Sequence, residues 1–275
     1  MKAFLTNFKR LLNVRTVLCI AAVTLLCFFS HMETGGYENP PTLLELTARA
    51  FAGDNKHGYT FQQILSAYDY SFWFYIVLPV VLSMPAVSDF YEEWFSGGHF
   101  LNVHRQQIFK YCAAKSAAYA LNAAAVFLAG FGIFAAVECA AFPLESAAEL
   151  DKFYAFPAVA MRILNVTAAG ALCPVITVLI LIIIKEKFLA LSMPMLVNYA
   201  TSLIGGFLVA RSYNEDKPIL RQLAYLLPRY QFSQASGFKS TFGLTFYVWY
   251  LAWAAAFALC VFCFVLLVKR RIKRG

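Results

Sequence analysis

The sequence predicts an all-α integral membrane protein with six transmembrane helices. The chain is 61% hydrophobic and only 14% charged, with a mean hydropathy of +0.63, whereas a soluble domain has about 45–50% apolar and about 25% charged residues. Six apolar runs are long enough to cross a bilayer core of roughly 30 Å. Short clusters of bases flank these runs, as topology signals do. We therefore expect a single transmembrane domain over residues 1–275.

The first segment, residues 1–13, reads "MKAFLTNFKRLLN" and is amphipathic. One helical face would hold Phe4, Phe8, Leu11 and Leu12, while the bases stay in water. This pattern favours a helix that lies flat on the inner membrane surface.

The predicted spans follow in order. No small-residue cleavage pattern follows the first run, so we interpret it as a retained span rather than a signal peptide. Pro174 and Pro194 are expected to kink the fourth and fifth spans, and Gly205 and Gly206 to allow close helix approach. The spans cover about 16–32, 70–88, 116–137, 163–184, 188–210 and 244–268.

The bases predict the orientation. With both termini in the cytoplasm, most of the 23 lysines and arginines fall on the inner side, including the end "VKRRIKRG". Residues 211–243 fit this rule less well. Because the bases lie at span ends and not on one patch, a nucleic-acid partner is excluded. A multi-pass protein of the cell membrane, in contact with its lipids, is predicted.

The outer segments contain helix-start patterns. Thr42 with Glu45, and Thr60 with Gln63, match capping boxes and predict two short helices within 31–69. A second outer segment covers 138–158. The third, 211–243, contains "PILRQLAYLLP", which could form an interfacial or re-entrant helix.

The sequence gives little support for an enzyme. Glu92 and Glu93 are similar to the paired glutamates of CAAX-type proteases, but Gly97 stands where those families have an arginine. His99 and His104 would lie about 140° apart on a helix, so they would not share a metal. A GxSxG motif is also absent. The chain itself is not expected to be an enzyme or to hold a cofactor.

An energy source is also missing from the sequence. No GxxxxGK[ST] loop occurs, so ATP would have to be bound by another subunit. Asp69, Glu138 and Arg162 lie at outer span ends and are interpreted as interfacial anchors, which disfavours an ion-coupled carrier.

Residues 92–115, "EEWFSGGHFLNVHRQQIFKYCAAK", form a polar stretch between the second and third spans. Aromatic residues give it an apolar side, and acids and bases give it a charged side. It could be an amphipathic element on the inner face that passes a push from a cytoplasmic partner to both spans. A plain interfacial loop is the alternative.

This stretch resembles the segment after the second span of ABC-2 type permeases, the membrane subunits of ABC transporters, especially those of Gram-positive bacteria. Their pattern E-x-x-S-G, then Arg, Tyr and Lys, is matched here by Glu93 to Gly97, Arg105, Tyr111 and Lys115. The preceding "LPVVLSMPAVSDF" is similar to the second span of the family. The motif-like part covers 77–115, and the six spans and basic end agree over most of the chain.

The resemblance implies a permease subunit that pairs with a second copy or paralogue and with a separate ABC ATPase subunit. Residues 89–104 would be the coupling helix, with Glu93 and Arg105 forming charge pairs with the partner or each other, and Gly97 and Gly98 supplying a turn. The coupling residues it implies are Asp89, Glu92, Glu93, Trp94, Ser96, Gly97, Gly98, His104, Arg105, Tyr111 and Lys115.

The function expected on this basis is export of a peptide, lipid or other amphiphile, a class that 27 Phe and 15 Tyr would suit. Two alternatives stay open. One is a membrane immunity or sensor protein that binds a peptide without transport, and the other is an intramembrane enzyme.

Overall fold

The structure is a computed structural model that describes residues 2–31, 40–53, 59–68, 72–97, 107–144, 156–214, 219–220, 224 and 246–272. Over these ranges the chain is helical, and the only extended pairing is an isolated bridge between His31 and Thr42. The helices are α1 (Lys2–Leu11), α2 (Val14–Phe28), α3 (Leu43–Phe51), α4 (Phe61–Ser66), α5 (Phe72–Phe95), α6 (Ile108–Ala141), α7 (Phe156–Ile184), α8 (Lys187–Asn214) and α9 (Phe246–Ile272).

Five helices, α5 to α9, are long and apolar enough to cross a membrane. The pair α1 and α2 adds a sixth only if both are counted as one span, and the two meet at a bend of 65°. With 15 residues, α2 alone measures about 22 Å, less than the roughly 30 Å of a bilayer core. The multi-pass class is confirmed, but the first predicted span, 16–32, ends early at Phe28.

The bend between α1 and α2 has a local cause in Asn13. Its side-chain oxygen accepts hydrogen bonds from the backbone N–H groups of Arg15, at 3.0 Å, and Thr16, at 3.4 Å, so it caps a new helix. Leu11 is buried while Leu12 is 57% exposed, which separates two residues that the sequence placed on one face. Helix α1 packs against α5 and α6, so it is a part of the bundle.

The two short helices predicted within 31–69 are confirmed as α3 and α4. Thr42 Oγ1 accepts a hydrogen bond from the Glu45 N–H at 3.2 Å, and the Thr60 N–H donates to Gln63 Oε1 at 3.2 Å. These contacts satisfy backbone donors that a helix start leaves open. Both helices pack against one end of α6, and we call this end of the bundle the cap end.

Helix α5 continues beyond residue 88, the predicted end of the second span. Helix α5 continues through Phe95, and α6 already begins at Ile108. Residues 89–95 of the predicted coupling helix, 89–104, therefore belong to α5, and residues 108–115 belong to α6. The buried face also continues, since Phe90 and Trp94 are buried. The helix is followed by Gly97, whose φ of +77° suits a residue without a Cβ. Residues 98–106 lie outside the described ranges.

Close helix contacts occur at Gly130 and Gly170, two glycines that the sequence alone does not single out. A Cβ on Gly130 of α6 would lie 2.7 Å from the Val23 Cβ of α2, and one on Gly170 of α7 would lie 2.6 Å from Leu82 Cδ1 of α5. By contrast, a Cβ on Gly206 would meet nothing within 4 Å. The tight crossings of the bundle are therefore α2 with α6 and α5 with α7.

Prolines lie inside three of the long helices. Helices α7 and α8 continue through Pro174 and Pro194, and α5 contains Pro79. Because proline has no N–H, Pro79 leaves the Tyr75 carbonyl without its helical donor. Asn198 of α8 donates its side-chain amide to that carbonyl at 2.8 Å.

Two outer-segment predictions fall largely on undescribed parts of the chain. Helix α8 runs to Asn214, and of the stretch "PILRQLAYLLP" only residues 219–220 and 224 are described. In the second outer segment, residues 145–155 are outside the described ranges, and α7 begins at Phe156.

We expect Gly130→Ala to destabilise the protein by about 1–3 kcal/mol, the usual cost of overpacking. The new methyl group would meet the Ile20 carbonyl oxygen at 2.8 Å as well as Val23, so backbone has to move. Thermal unfolding of the full chain in detergent measures the change. Gly132→Ala is the matched control, since its Cβ would meet nothing within 4 Å. Equal effects of the two substitutions would show that the α2–α6 crossing is not tightly packed.

Candidate functional site

A set of polar side chains projects from facing turns of α5 and α6. Asp89 and Glu93 lie four residues apart on α5, and Tyr111, Lys115 and Tyr119 repeat every four residues on α6. This spacing puts each set on one face of its helix. Together with one residue of α1, they form the Glu93 cluster: Arg10, Asp89, Glu93, Tyr111, Lys115 and Tyr119.

Lys115 is the centre of the cluster, and its side chain is completely buried. Its ammonium group contacts Glu93 Oε2 directly and lies 3.4 Å from Asp89 Oδ2. The rings of Phe90, Tyr111 and Tyr119 surround it at 5.5–5.8 Å from the nitrogen to the ring centroids, a range in which an aromatic face attracts a cation.

Arg10 brings a second cation from α1. Its guanidinium lies 2.9 Å from Asp89 Oδ1 and 3.2 Å from Glu93 Oε2. The hydroxyl of Tyr111 donates to Glu93 Oε1 at 2.7 Å, and that of Tyr119 donates to Asp89 Oδ2 at 2.9 Å. Each carboxylate thus forms ion pairs with Arg10 and Lys115 and accepts a hydrogen bond from one tyrosine hydroxyl.

The charges in the cluster balance, since two cations meet two carboxylates. Burying a charge without a partner is costly, and the attraction of a buried pair offsets that cost only when geometry and hydrogen bonds are good. Here the tyrosine hydroxyls supply the additional hydrogen bonds. The result is a compact polar block that joins α1, α5 and α6 at the end of the bundle opposite the cap end.

A second ion pair, between Glu92 and Arg15, lies beside the cluster. The two side chains approach to 2.8 Å but are 56% and 41% exposed. Exposed pairs of this kind contribute about 0–1 kcal/mol. Glu92 is therefore available at the surface, unlike its neighbour Glu93.

The residues that follow Glu93 finish the helix. Trp94 is buried, stacks on Phe90 with 5.0 Å between ring centroids, and lies 5.2 Å under the Arg271 guanidinium of α9. Ser96 donates its hydroxyl to the Glu93 carbonyl at 3.2 Å, and Gly97 makes the turn. Helix α9 therefore contacts the same end of α5.

Of the eleven residues implied by the resemblance, Asp89, Glu93, Tyr111 and Lys115 come together in the cluster. Glu93 pairs within the chain and is 5% exposed, which leaves little of it for a partner. Gly98, His104 and Arg105 lie outside the described ranges.

Two members of the cluster, Arg10 and Tyr119, are missed by the sequence reasoning. For Tyr119 a signal exists, because it continues the four-residue spacing of Tyr111 and Lys115. Arg10 comes from a separate helix, and nothing in its local sequence distinguishes it from Lys9.

The interpretation of Glu138 and Arg162 as interfacial anchors needs correction. Glu138 is 0% exposed and Arg162 is 4% exposed, so both are buried within the chain at the cap end. Arg162 donates to the Ser66 carbonyl at 3.0 Å. Among the described residues, no group of three histidine, cysteine or acidic side chains is placed to hold a metal ion.

No protein-family model matches the chain, and no curated protein or solved structure matches it either.

We expect Lys115→Met to cost about 3–5 kcal/mol of stability, the range for removing one partner of a buried ion pair. The substitution keeps the length of the side chain but leaves two carboxylates with Arg10 as their remaining cation in the cluster. Urea unfolding in detergent measures the loss. Lys110→Met is the control, since Lys110 lies on the same helix and is exposed. The ionic role of the cluster is refuted by similar losses in both variants.

Proposed function

We propose that this chain is the permease subunit of an ABC transporter, driven by a separate ATPase subunit that binds and hydrolyses the ATP. A second copy or a paralogue would complete the transporter. Export of a peptide, lipid or other amphiphile is the activity that the resemblance favours.

The observation that carries the proposal is the contact between residues of the matched pattern. Glu93 lies on α5, whereas Tyr111 and Lys115 lie one turn apart on α6, and Tyr111 donates to Glu93 at 2.7 Å while Lys115 pairs with the same carboxylate. A chance match of single letters would not require these three side chains to meet. Their meeting supports the idea that the pattern marks a working unit.

The cluster also suggests how force would reach the helices. The segment between Gly97 and Gln107 connects α5 and α6 directly after the cluster. Because the ion pairs join both helices and α1, a push on that segment would move the three together. Helix α5 packs against α7 and α8, and α6 packs against α2 and α7, so the movement would extend through the bundle.

The exposed residues near this segment are those a partner could touch. Glu92, Phe95 and Ser96 are exposed, and Phe95 is 44% accessible. Charge reversal of Glu93 would introduce a cation beside Lys115 and damage folding, so it cannot separate coupling from stability. A substitution in the turn at Gly97 is the sharper test.

Affinity purification of the full chain from its native membranes should recover a subunit with a GxxxxGK[ST] loop and ATPase activity. Absence of such a subunit under mild detergent conditions would overturn the proposal. Recovery of a bound peptide without an ATPase would instead favour the immunity or sensor alternative, and activity on a chemical substrate would favour an enzyme.

Within the purified complex, Gly97→Ala is expected to lower substrate-stimulated ATPase activity several-fold. Gly53→Ala is a close control, because Gly53 and Gly97 have φ values of +81° and +77° and neither has an atom within 4 Å of an added Cβ. Both substitutions place alanine in the left-handed region of the backbone, which destabilises the protein by roughly 1–2 kcal/mol. An equal loss of coupling in both variants would show that backbone strain, and not the position next to the cluster, is responsible.

A further inference from the structure

Glu138 lies in the last turn of α6 and is 0% exposed. It is about 35 Å from Lys115 along the same helix, at 1.5 Å per residue. Its Oε1 atom accepts a hydrogen bond from the Thr47 hydroxyl of α3 at 2.8 Å, and its Oε2 atom has no hydrogen-bond partner among the residues that the structure describes. The proposed transport function makes no use of this carboxyl group.

The Thr47 hydroxyl is shared between two acceptor oxygens. The Thr47 oxygen lies 2.6 Å from the Leu43 carbonyl and 2.8 Å from Glu138 Oε1. A hydroxyl has one proton, and a carbonyl oxygen only accepts. Thr47 can donate its one proton to Glu138 Oε1 or to the Leu43 carbonyl, so it satisfies at most one oxygen of a charged Glu138 carboxylate and leaves Oε2 without a donor among the described residues.

The surroundings also disfavour a charged carboxylate. On α3, Glu45 and Arg49 occupy the exposed face, opposite the buried Thr47. Arg162 of α7 donates to the Ser66 carbonyl, and the His31 ring, which precedes α3, lies 3.2 Å from the Pro40 carbonyl.

Other titratable side chains described at this end include a tyrosine and two cysteines. Tyr68 follows α4 and is buried against the rings of Phe74 and Phe131. The thiol of Cys27 lies on α2, and that of Cys139 is exposed beside Glu138. In the described part of the chain, no cation lies within ion-pairing distance, 4.0 Å, of the Glu138 carboxyl group.

We propose that Glu138 is a proton-binding site and that its bound proton holds α3 against the bundle. Helix α3 packs through Leu43, Leu46 and Thr47, which are all buried. Loss of the proton would leave a carboxylate with one unpartnered oxygen in this interface, a state that costs several kcal/mol. Movement of α3 away from α6 would let water reach the charge and relieve that cost.

The direction of the pH effect follows from this coupling. The docked state of α3 binds up to one proton more than the open state between the pH range in which a water-exposed carboxyl group titrates and the higher range in which the docked Glu138 titrates. Rising pH therefore favours the open state, by up to a factor of ten for each pH unit when one proton is released. The proposal concerns the cap end alone and holds or fails independently of any ATPase partner.

Hydrogen–deuterium exchange of the α3 peptide, residues 43–51, tests the proposal in the full-length protein. We expect the exchange rate of wild type relative to Glu138→Gln to rise several-fold between pH 6 and pH 9. The ratio at each pH cancels the intrinsic pH dependence of amide exchange. The Gln side chain keeps the shape and can donate to Thr47, but it does not titrate.

Two further variants make the result decisive. Glu45→Gln removes an exposed carboxyl group from the same helix and should keep the wild-type pH dependence. If Glu138→Gln does not fold, Glu138→Met provides the same non-titrating comparison in an apolar form. A ratio that stays constant with pH, or a pH dependence that disappears in Glu45→Gln, would overturn the proposal.

Discussion

The pairing of Lys115 with Asp89 and Glu93 is the constraint on which this end of the bundle depends. A completely buried ammonium group is tolerated only where opposite charges and hydrogen bonds replace water, and here two carboxylates from α5 do so. This requirement fixes the rotation of α5 relative to α6, because Asp89 and Glu93 must face α6. It also explains why α5 continues beyond the apolar part of its sequence, since the charges that follow are neutralised inside the protein.

The buried acids at the two ends of α6 differ in whether they have cationic partners. Near its start, the acids that face it contact cations and accept hydrogen bonds from tyrosine hydroxyls, and these contacts hold the helices together. Near its end, Glu138 meets a threonine and has no cation within pairing distance among the described residues. The first arrangement is a stable connection between helices, whereas the second is sensitive to protonation. Helix α6 thus connects the ion-paired Glu93 cluster to the protonation-dependent contact of Glu138 at the cap end.

How far the fold could be predicted depended on the range of the interactions involved. Hydropathy located the long helices, and the Thr42 and Thr60 patterns located α3 and α4, because these signals are local. The continuation of α5 through Phe95 was not predicted, since the burial of Glu93 depends on Lys115 and on Arg10, which lies 83 residues away. The same reason hid Arg10 and the burial of Glu138 and Arg162. The close contacts at Gly130 and Gly170 were not predicted, because a glycine in the sequence shows where close approach is possible but not which helix approaches.

The bond from Asn198 to the Tyr75 carbonyl has a consequence for how the bundle can rearrange. Pro79 opens a gap in the hydrogen-bond ladder of α5, and the occupant of that gap belongs to α8. If α8 slid or rotated, the Tyr75 carbonyl would lose its hydrogen-bond donor. An unsatisfied acceptor in apolar surroundings is unfavourable in free energy. The Asn198 hydrogen bond therefore holds α8 against α5 at the point where the α5 backbone lacks a helical hydrogen bond. A rearrangement that separates the two helices must supply water or another donor to the Tyr75 carbonyl oxygen.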